Sequence, residues 1–473
     1  MTSKNQSTLT SSIFIRNASY IVTMDPRRQI ISDGAIAAQG NQIIAVGKSD
    51  ELAPKFSSSS EHVVDARGCV VTPGLINCHL HTAQYLARGV ADNVSLPTWI
   101  HDRIYPYEAS LTPSETRAAS TACLVEAIKT GTTFIADPGS YHMDEVVEST
   151  QKVGARAVLA RSLIDIHTPG RPIPDDMRES TDSAVSAGED FVRRYNNHAE
   201  GRIKAWFSIR TERTTSNELA RRIKEKADEY GTGIESHVAN SQDSVTRHKE
   251  MFRETPLVRY HKAGLLSPNL LIIHANWLTD EEIDLVIKYN VKVVRCPTSA
   301  YVTASGTLRG GKFARLEKAG VAVALGADAT PASNFLDMIR VGYSLMSYRD
   351  SNLDATLYPP EQVLETLTLN GARALLSESE TGSIEIGKKA DLVVFDARKP
   401  GWVPLLNPVS NLIHSASGES TRDVIIDGRI VLRDGRCLTV DEDKVREEAQ
   451  KAAEDVTSRS GVRGYARSTW PMA

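Results

Sequence analysis

Five side chains with metal-binding or proton-transferring chemistry recur at one kind of place in this sequence, the polar end of an apolar run. "VVTPGLINCHLH" ends in His79 and His81, "GTGIESHVAN" carries His237, "NLLIIHANWL" carries His274 and "VAVALGADAT" carries Asp328. Alternation along a strand puts residues two apart on one side, so His79 and His81 face together. Three imidazoles and a carboxylate suit a divalent transition metal, zinc first, with iron and cobalt as alternatives. A catalytic ion keeps one position for water and lowers its pKa to about 7. Asp328 then reads as the general base, and His274 as a group that polarises substrate or holds the water. Taken singly, each residue has an ordinary explanation as a packed, capping or hydrogen-bonded side chain. Their joint placement at the ends of four runs points to a shared site.

The elements that must carry these residues alternate between apolar runs and helical stretches, the texture of a parallel α/β architecture. Besides the four runs above, "TTFIADPG", "RAVLARSLID", "IKAWFSIR" and "VKVVRCPTSA" read as strands, eight in all. Continuous apolar strands are buried on both faces, and eight such units over roughly 300 residues fit a (β/α)8 TIM barrel. The C-terminal strand ends of a barrel share one face, where active sites lie. His167, just after the third run, is a further candidate to face that site. Short strands with Asp-Gly turns flank the barrel, for example "DGAIAAQGNQIIAVG" and "RDVIIDGRIVLRDGRCL". They predict a small β-sandwich domain built from both chain ends, residues 12–70 and 383–440, around a barrel over 71–382. Residues 1–11 read as a polar, disordered tail and 441–473 as a charged helix with a basic tail.

The 473 residues are 41% hydrophobic and 24% charged with a net charge of −4, which gives no reason to expect nucleic acid or an anionic membrane as partner. No apolar run is long enough to span a bilayer, and the start has no secretory signal. Five dispersed cysteines without a Cys-x-x-Cys pair suggest reduced thiols and a cytoplasmic setting.

The motifs resemble those of the amidohydrolase superfamily over nearly the whole chain. "VVTPGLINCHLH" is similar to its first-strand motif. "LPTWIHDRIYPYEASLT", "NLLIIHANWLTDEEI", "CPTSA" and "LGADATPASNFLDM" resemble the branch holding cytosine deaminase, adenosylhomocysteine deaminase and the triazine hydrolases. "ALLSESETGSIEIGKKADLVVFD" resembles the closing signature. The resemblance implies one divalent metal ion held by His79, His81, His237 and Asp328, with His274 beside it. It also implies a homodimer or homotetramer acting on a small molecule. Two-metal relatives use a carboxylated lysine at the end of strand four, where Arg210 stands here and cannot form that bridge.

Departures from the family pattern bear on substrate. Ring deaminases of this branch carry His-x-x-Glu on strand five, and the glutamate moves a proton to the ring and the leaving ammonia. Here the residue is Asn240, and an amide cannot transfer that proton. The expectation drawn from this is hydrolysis of an open carbonyl (amide, urea, carbamate or thiocarbamate), as in the phenylurea and thiocarbamate hydrolases of the branch. Deamination or dechlorination of a purine, pyrimidine or triazine is the alternative, with Glu212 or a loop acid supplying the proton. A non-catalytic scaffold is the third reading, disfavoured because all four ligand positions are filled. Asn240, Arg210, Trp99 and Trp277 are the candidate substrate contacts, with Tyr85, Tyr105 and Tyr301 as further candidate walls.

Overall fold

The computed structural model describes residues 11–171, 173–333, 336–467 and 470. Five strands open the chain: β1 (Ser11–Val22), β2 (Ile30–Gln39), β3 (Gln42–Lys48), β4 (Ser60–Asp65) and β5 (Cys69–Pro73). Eight follow: β6 (Leu75–Asn77), β7 (Thr132–Asp137), β8 (Arg156–Leu163), β9 (Ile203–Thr211), β10 (Ile234–Val238), β11 (Leu270–His274), β12 (Lys292–Arg295) and β13 (Val323–Leu325). The last four are β14 (Leu392–Asp396), β15 (Thr421–Ile426), β16 (Arg429–Arg433) and β17 (Arg436–Cys437).

Strands β6 to β13 pair in sequence order as one parallel sheet. The Cys78 N–H bonds to Leu325 O at 2.9 Å and closes the sheet into the barrel that the eight runs predict. Its interior is packed by Ile76, Phe134, Val158, Trp206, Leu271, Val294 and Ala324, one cluster fed by seven of the eight strands. The exception is β10, whose inward positions carry Glu235 and His237. Helices follow the strands and begin where the sequence offers caps. Thr112 and Glu115 form a reciprocal capping box, as do Thr279 and Glu282, while Ser180 and Ser216 cap two more.

The remaining nine strands form a second sheet from both chain ends. Ile36 of β2 and Ile425 of β15 belong to one core cluster, so strands at opposite ends of the sheet order meet over a shared interior, as expected of the sandwich. Arg156 of β8 fastens this domain to the barrel. Its guanidinium donates to Asp391 at 2.6 and 3.0 Å and to Asp427 at 3.0 Å, all three groups buried.

The first run departs from expectation. It is two strands, not one: β5 pairs with β1 and β14 in the terminal sheet, and only β6 pairs with β7. The terminal domain therefore reaches Pro73 and not residue 70. Both strands are buried throughout, so the apolar run crosses the joint at Gly74 without a break. The tail expected over 1–11 lies outside the described residues except for Ser11, which opens β1. The charged C-terminal segment is the helix Glu442–Arg459, packed through Ala449, Ala452 and Val456 beside Leu86 and Ala122. Most of the last six residues also lie outside the described set. Among the described residues all five cysteines are free and buried, and no helix is long and apolar enough to cross a membrane.

Candidate active site

The ends of β6, β10 and β11 and the turn after β13 bring the five residues together at one mouth of the barrel. His81, His237, His274 and Asp328 line a cavity there, and His79 lies fully buried against them. His81 Nε2 and His237 Nε2 are 3.3 Å apart. His79 Nε2 stands 3.3 Å and His81 Nε2 3.7 Å from Asp328 Oδ1, and His274 Nε2 is 4.0 Å from Asp328 Oδ2. Two donors about 2.0–2.1 Å from a tetrahedral ion stand about 3.3–3.4 Å apart, the separation seen for the tightest of these pairs.

The polar atoms also fit a cation. His79 Nε2, which faces the cluster, is buried without a hydrogen bond, and the ligand atoms of His79, His81 and His237, and those of His79, His274 and Asp328, lie within 4.8 Å of one another. A shared proton would satisfy one facing pair, whereas one cation can take a single nitrogen from each converging ring together with the Asp328 carboxylate. Burial, then the neighbouring imidazoles, holds His81 and His237 well below the ordinary histidine range, and burial brings His274 down to about 4. Burial alone would raise Asp328. The contact with His79 Nε2 and the surrounding imidazoles outweigh it and keep the carboxylate ionised. Neutral imidazoles beside a carboxylate are the forms that bind metal.

The positions are over-determined by backbone. Asn77 Oδ1 accepts the Ala327 N–H at 3.0 Å, and the Asp328 N–H donates to His79 O at 2.9 Å, lacing the end of β6 to the turn after β13. Asp328 also accepts from Ser299 Oγ at 2.6 Å and from the Ala329 N–H at 2.7 Å. His274 and Asp328 have φ of 74° and 63°, left-handed values that cost non-glycine residues about 1–3 kcal/mol and concentrate at functional sites.

Of the expected substrate contacts, Asn240, Arg210 and Trp99 line the cavity, and so do Tyr105 and Glu212. Arg210 is committed to protein: it donates to Glu108 at 3.0 Å and to Gly139 O at 3.3 Å, and Gln84 Nε2 donates to the other Glu108 oxygen at 2.7 Å. Burial raises the Glu212 carboxyl against the opposing pull of Arg213, whose Nε stands 3.7 Å from Oε1, and that oxygen makes no hydrogen bond. Trp277 does not line the cavity. Its indole packs against Gly306 and Gly310 and donates to Ser305 O at 2.7 Å, a pairing that sequence spacing cannot reveal. Tyr85 turns away to Glu126, Tyr301 donates to Ser344 O, and His167 is not among the lining residues. Sequence reasoning missed Ser299, Glu108 and Gln84. Ser299 lies inside the quoted "CPTSA", but a serine after a strand carries no signal by type alone.

Residues 70–431 match the family described as Amidohydrolase family. A 5′-deoxyadenosine deaminase of Methanosarcina mazei is 35% identical over 448 residues, covering 94% of this chain and 99% of that one. The chain belongs to the amidohydrolase family. As a member of it, the protein is a metal-dependent hydrolytic enzyme of carbon–nitrogen bonds. It is also 32% identical to a 5-methylthioadenosine/S-adenosylhomocysteine deaminase of Halothermothrix orenii, over 92% of this chain and 97% of that one. Among solved structures, an adenosine deaminase of Xanthomonas campestris with bound zinc superposes with a TM-score of 0.88. That chain is 27% identical, and the match covers 95% of this amidohydrolase and 99% of the other.

Proposed function

We propose that this amidohydrolase is an aminohydrolase of adenosine-type nucleosides, replacing the exocyclic amino group of the purine with oxygen and releasing ammonia. The observation that carries this reading is the buried Glu212 carboxyl in the wall of the cavity that also holds Asn240 and the histidine–aspartate cluster. The preference for an open carbonyl rested on Asn240 lacking a transferable proton, and Glu212 removes that ground. The similarity to adenosine-type deaminases over more than nine-tenths of the chain supports the same substrate class.

His79, His81, His237 and Asp328 would hold one divalent ion, zinc by analogy with the Xanthomonas structure. When bound, that ion supplies Lewis-acid activation of the attacking water. Asp328 takes the proton of the water as oxygen adds to the amino-bearing carbon. Glu212 gives its proton to the adjacent ring nitrogen, so the ring electrons settle there. Asp328 then passes its proton to the amino group, the carbon–nitrogen bond breaks as ammonia leaves, and the second proton of the water is given up as the carbonyl forms, which returns a proton to Glu212. His274 orients the attacking oxygen, and Trp99 and Tyr105 cover the ring.

An amide, urea, carbamate or thiocarbamate substrate is the second reading, favoured by the Asn240 amide. The test is ammonia release by the zinc-loaded enzyme from adenosine, 5′-deoxyadenosine, methylthioadenosine and adenosylhomocysteine, against a panel of arylureas and thiocarbamates. Turnover of the nucleosides alone is expected. Turnover confined to the ureas or thiocarbamates would overturn the deaminase reading.

A further inference from the structure

We infer that Asp137 is a positioning residue that sets both the His79–His81 segment and the Arg210 wall of the cavity. Asp137 ends β7, the strand beside the one that carries the two histidines, and it is buried. Its Oδ2 accepts from the Thr82 N–H at 3.0 Å and from Thr82 Oγ1 at 2.6 Å, and Thr82 directly follows His81. The neighbouring Leu80 N–H donates to Ala136 O at 2.8 Å, so the exit of the His-x-His segment is held by the end of β7 at two consecutive steps. The other oxygen, Oδ1, accepts from the Gly139 N–H at 2.9 Å. Gly139 O in turn accepts from Arg210. Gly139 has φ of +96°, and a Cβ there would stand 2.4 Å from Ala160 O and 2.5 Å from the Ser162 nitrogen. The turn is thus pressed against β8 and has no freedom to take up slack. One carboxylate therefore fixes a metal-ligand segment on one side and a substrate-wall residue on the other.

The chemistry explains why an aspartate suits the position. Three donors converge on two oxygens, and the aspartate side chain presents an acceptor oxygen to each side. An asparagine would aim its NH2 at one of those donors and lose either the Thr82 or the Gly139 arm. A buried carboxyl group held by three hydrogen bonds under a barrel mouth is also a rigid device, since removing any one donor leaves a buried lone pair unpaired.

The experiment uses the metal-stripped full chain, with zinc affinity read by competition against a chromogenic chelator and the thermal midpoint of the metal-free protein read in parallel. Asp137→Asn is expected to weaken zinc binding about 10–100-fold, the range found when groups that orient ligands are removed. Thr82→Val, which keeps the backbone donor, is expected to cost several-fold, and Thr82→Ser to restore wild-type affinity. The Asp137→Asn/Thr82→Val double variant is expected to be no weaker than Asp137→Asn alone, because both act through one contact. Thr121→Val, which breaks the buried Thr121–Ser149 hydrogen bond nearby, serves as the structural control and is expected to lower the midpoint without touching zinc. In the loaded enzyme, Asp137→Asn is expected to raise KM as well as lower kcat, because Arg210 moves too. Wild-type zinc affinity in Asp137→Asn and Thr82→Val, with only the midpoints lowered, would overturn the positioning role. The inference rests on the metal reading of the cluster, and failure of the wild-type chain to take up zinc would overturn that reading and this one together. Wild-type uptake with unchanged variants overturns this one alone.

Discussion

Gly326→Ala isolates the claim that the meeting of two strand ends sets the metal geometry. Gly326 follows β13 and lies against the start of the His-x-His segment. A Cβ at this position would stand 2.6 Å from His79 Cβ and 3.0 Å from the His79 backbone nitrogen and oxygen. Ordinary carbon–carbon contact begins near 3.4 Å, so the two strand ends must part by about 0.8 Å. No flexible side-chain tip can give way, because the clash is with backbone and a Cβ. The bonds that flank the position, Cys78 to Leu325 and Asp328 to His79, each at 2.9 Å, would stretch first. They join the segments that carry His79 and Asp328. A shift of about 0.8 Å is some four times the roughly 0.2 Å tolerance of ligand distances in a metal site. The variant is expected to lose about 1–3 kcal/mol of stability from overpacking. It is also expected to bind zinc at least tenfold more weakly, with a matching fall in turnover at limiting metal. Chelator competition and denaturant unfolding of the metal-free chain measure the two effects. Gly47→Ala, where the nearest atom is 3.8 Å away, is the control and should change neither. Wild-type zinc affinity in Gly326→Ala would refute the reasoning, since the ligands would then be positioned by something other than the close approach of these strands.

Asp328→Asn is expected to retain zinc at millimolar metal, measured by elemental analysis, and to lose roughly 10²–10⁴ in kcat, because an amide cannot accept the proton of the water. Near-normal turnover would displace Asp328 from the base role. His248, buried on the helix Gln242–Phe252, gives a pH prediction. Burial, then the nearby Arg259, brings it from 6.5 to about 3, so the folded state holds it neutral while the unfolded state protonates below pH 6.5. Its contribution is complete above pH 6.5 and is lost as pH falls towards 3, with an upper bound on the order of 4–5 kcal/mol. In His248→Gln, chemical denaturation between pH 7 and 4 should show a shallower loss of stability than in the wild type. An identical slope would remove His248 from the acid response.

The barrel and the five site residues were legible because each depends on a local signal. A buried parallel strand is an apolar run, and a polar residue at its end interrupts that run visibly, as at His237 and Asp328. What was not legible depends on contacts between distant segments. Trp277 has the size and position of a pocket wall, but the glycines at 306 and 310 open a slot that takes its indole. Arg210 was correctly placed at the cavity, yet its partner Glu108 lies 102 residues earlier, and nothing in either local sequence announces the pair. The joint between β5 and β6 was hidden for the opposite reason, since two strands from different sheets share one uninterrupted apolar run. Asp137 carries no distinguishing signal, because a carboxylate at a strand end looks the same whether it binds metal, caps a turn or, as here, holds Thr82 of the neighbouring segment by two hydrogen bonds and its own turn by a third.

The exchange of Asn240 for the family glutamate is best understood as a move across one hydrogen bond. Glu212 follows β9 and Asn240 follows β10, and these strands are neighbours. The Glu212 N–H donates to His237 O at 3.3 Å, so the two candidate positions for an acid sit on adjoining walls of one cavity. On the deaminase proposal, an acid on either wall would serve a ring nitrogen held over the cluster, and the position without the acid would orient the ring through an amide. This predicts reciprocity. Glu212→Gln should lose at least 10²-fold in kcat on the nucleoside while keeping zinc affinity within a few-fold of the wild type. Asn240→Glu in that background should recover much of the loss, because it returns a proton donor to the other wall. Asn240→Glu alone should leave zinc binding intact, since Asn240 lines the cavity outside the groups that could hold the ion. If the double variant stays as slow as Glu212→Gln, the two walls are not interchangeable. If Glu212→Gln is itself unimpaired on nucleosides, the proton comes from another group. If the wild type turns over only ureas or thiocarbamates, Asn240 is serving an open carbonyl that needs no ring acid.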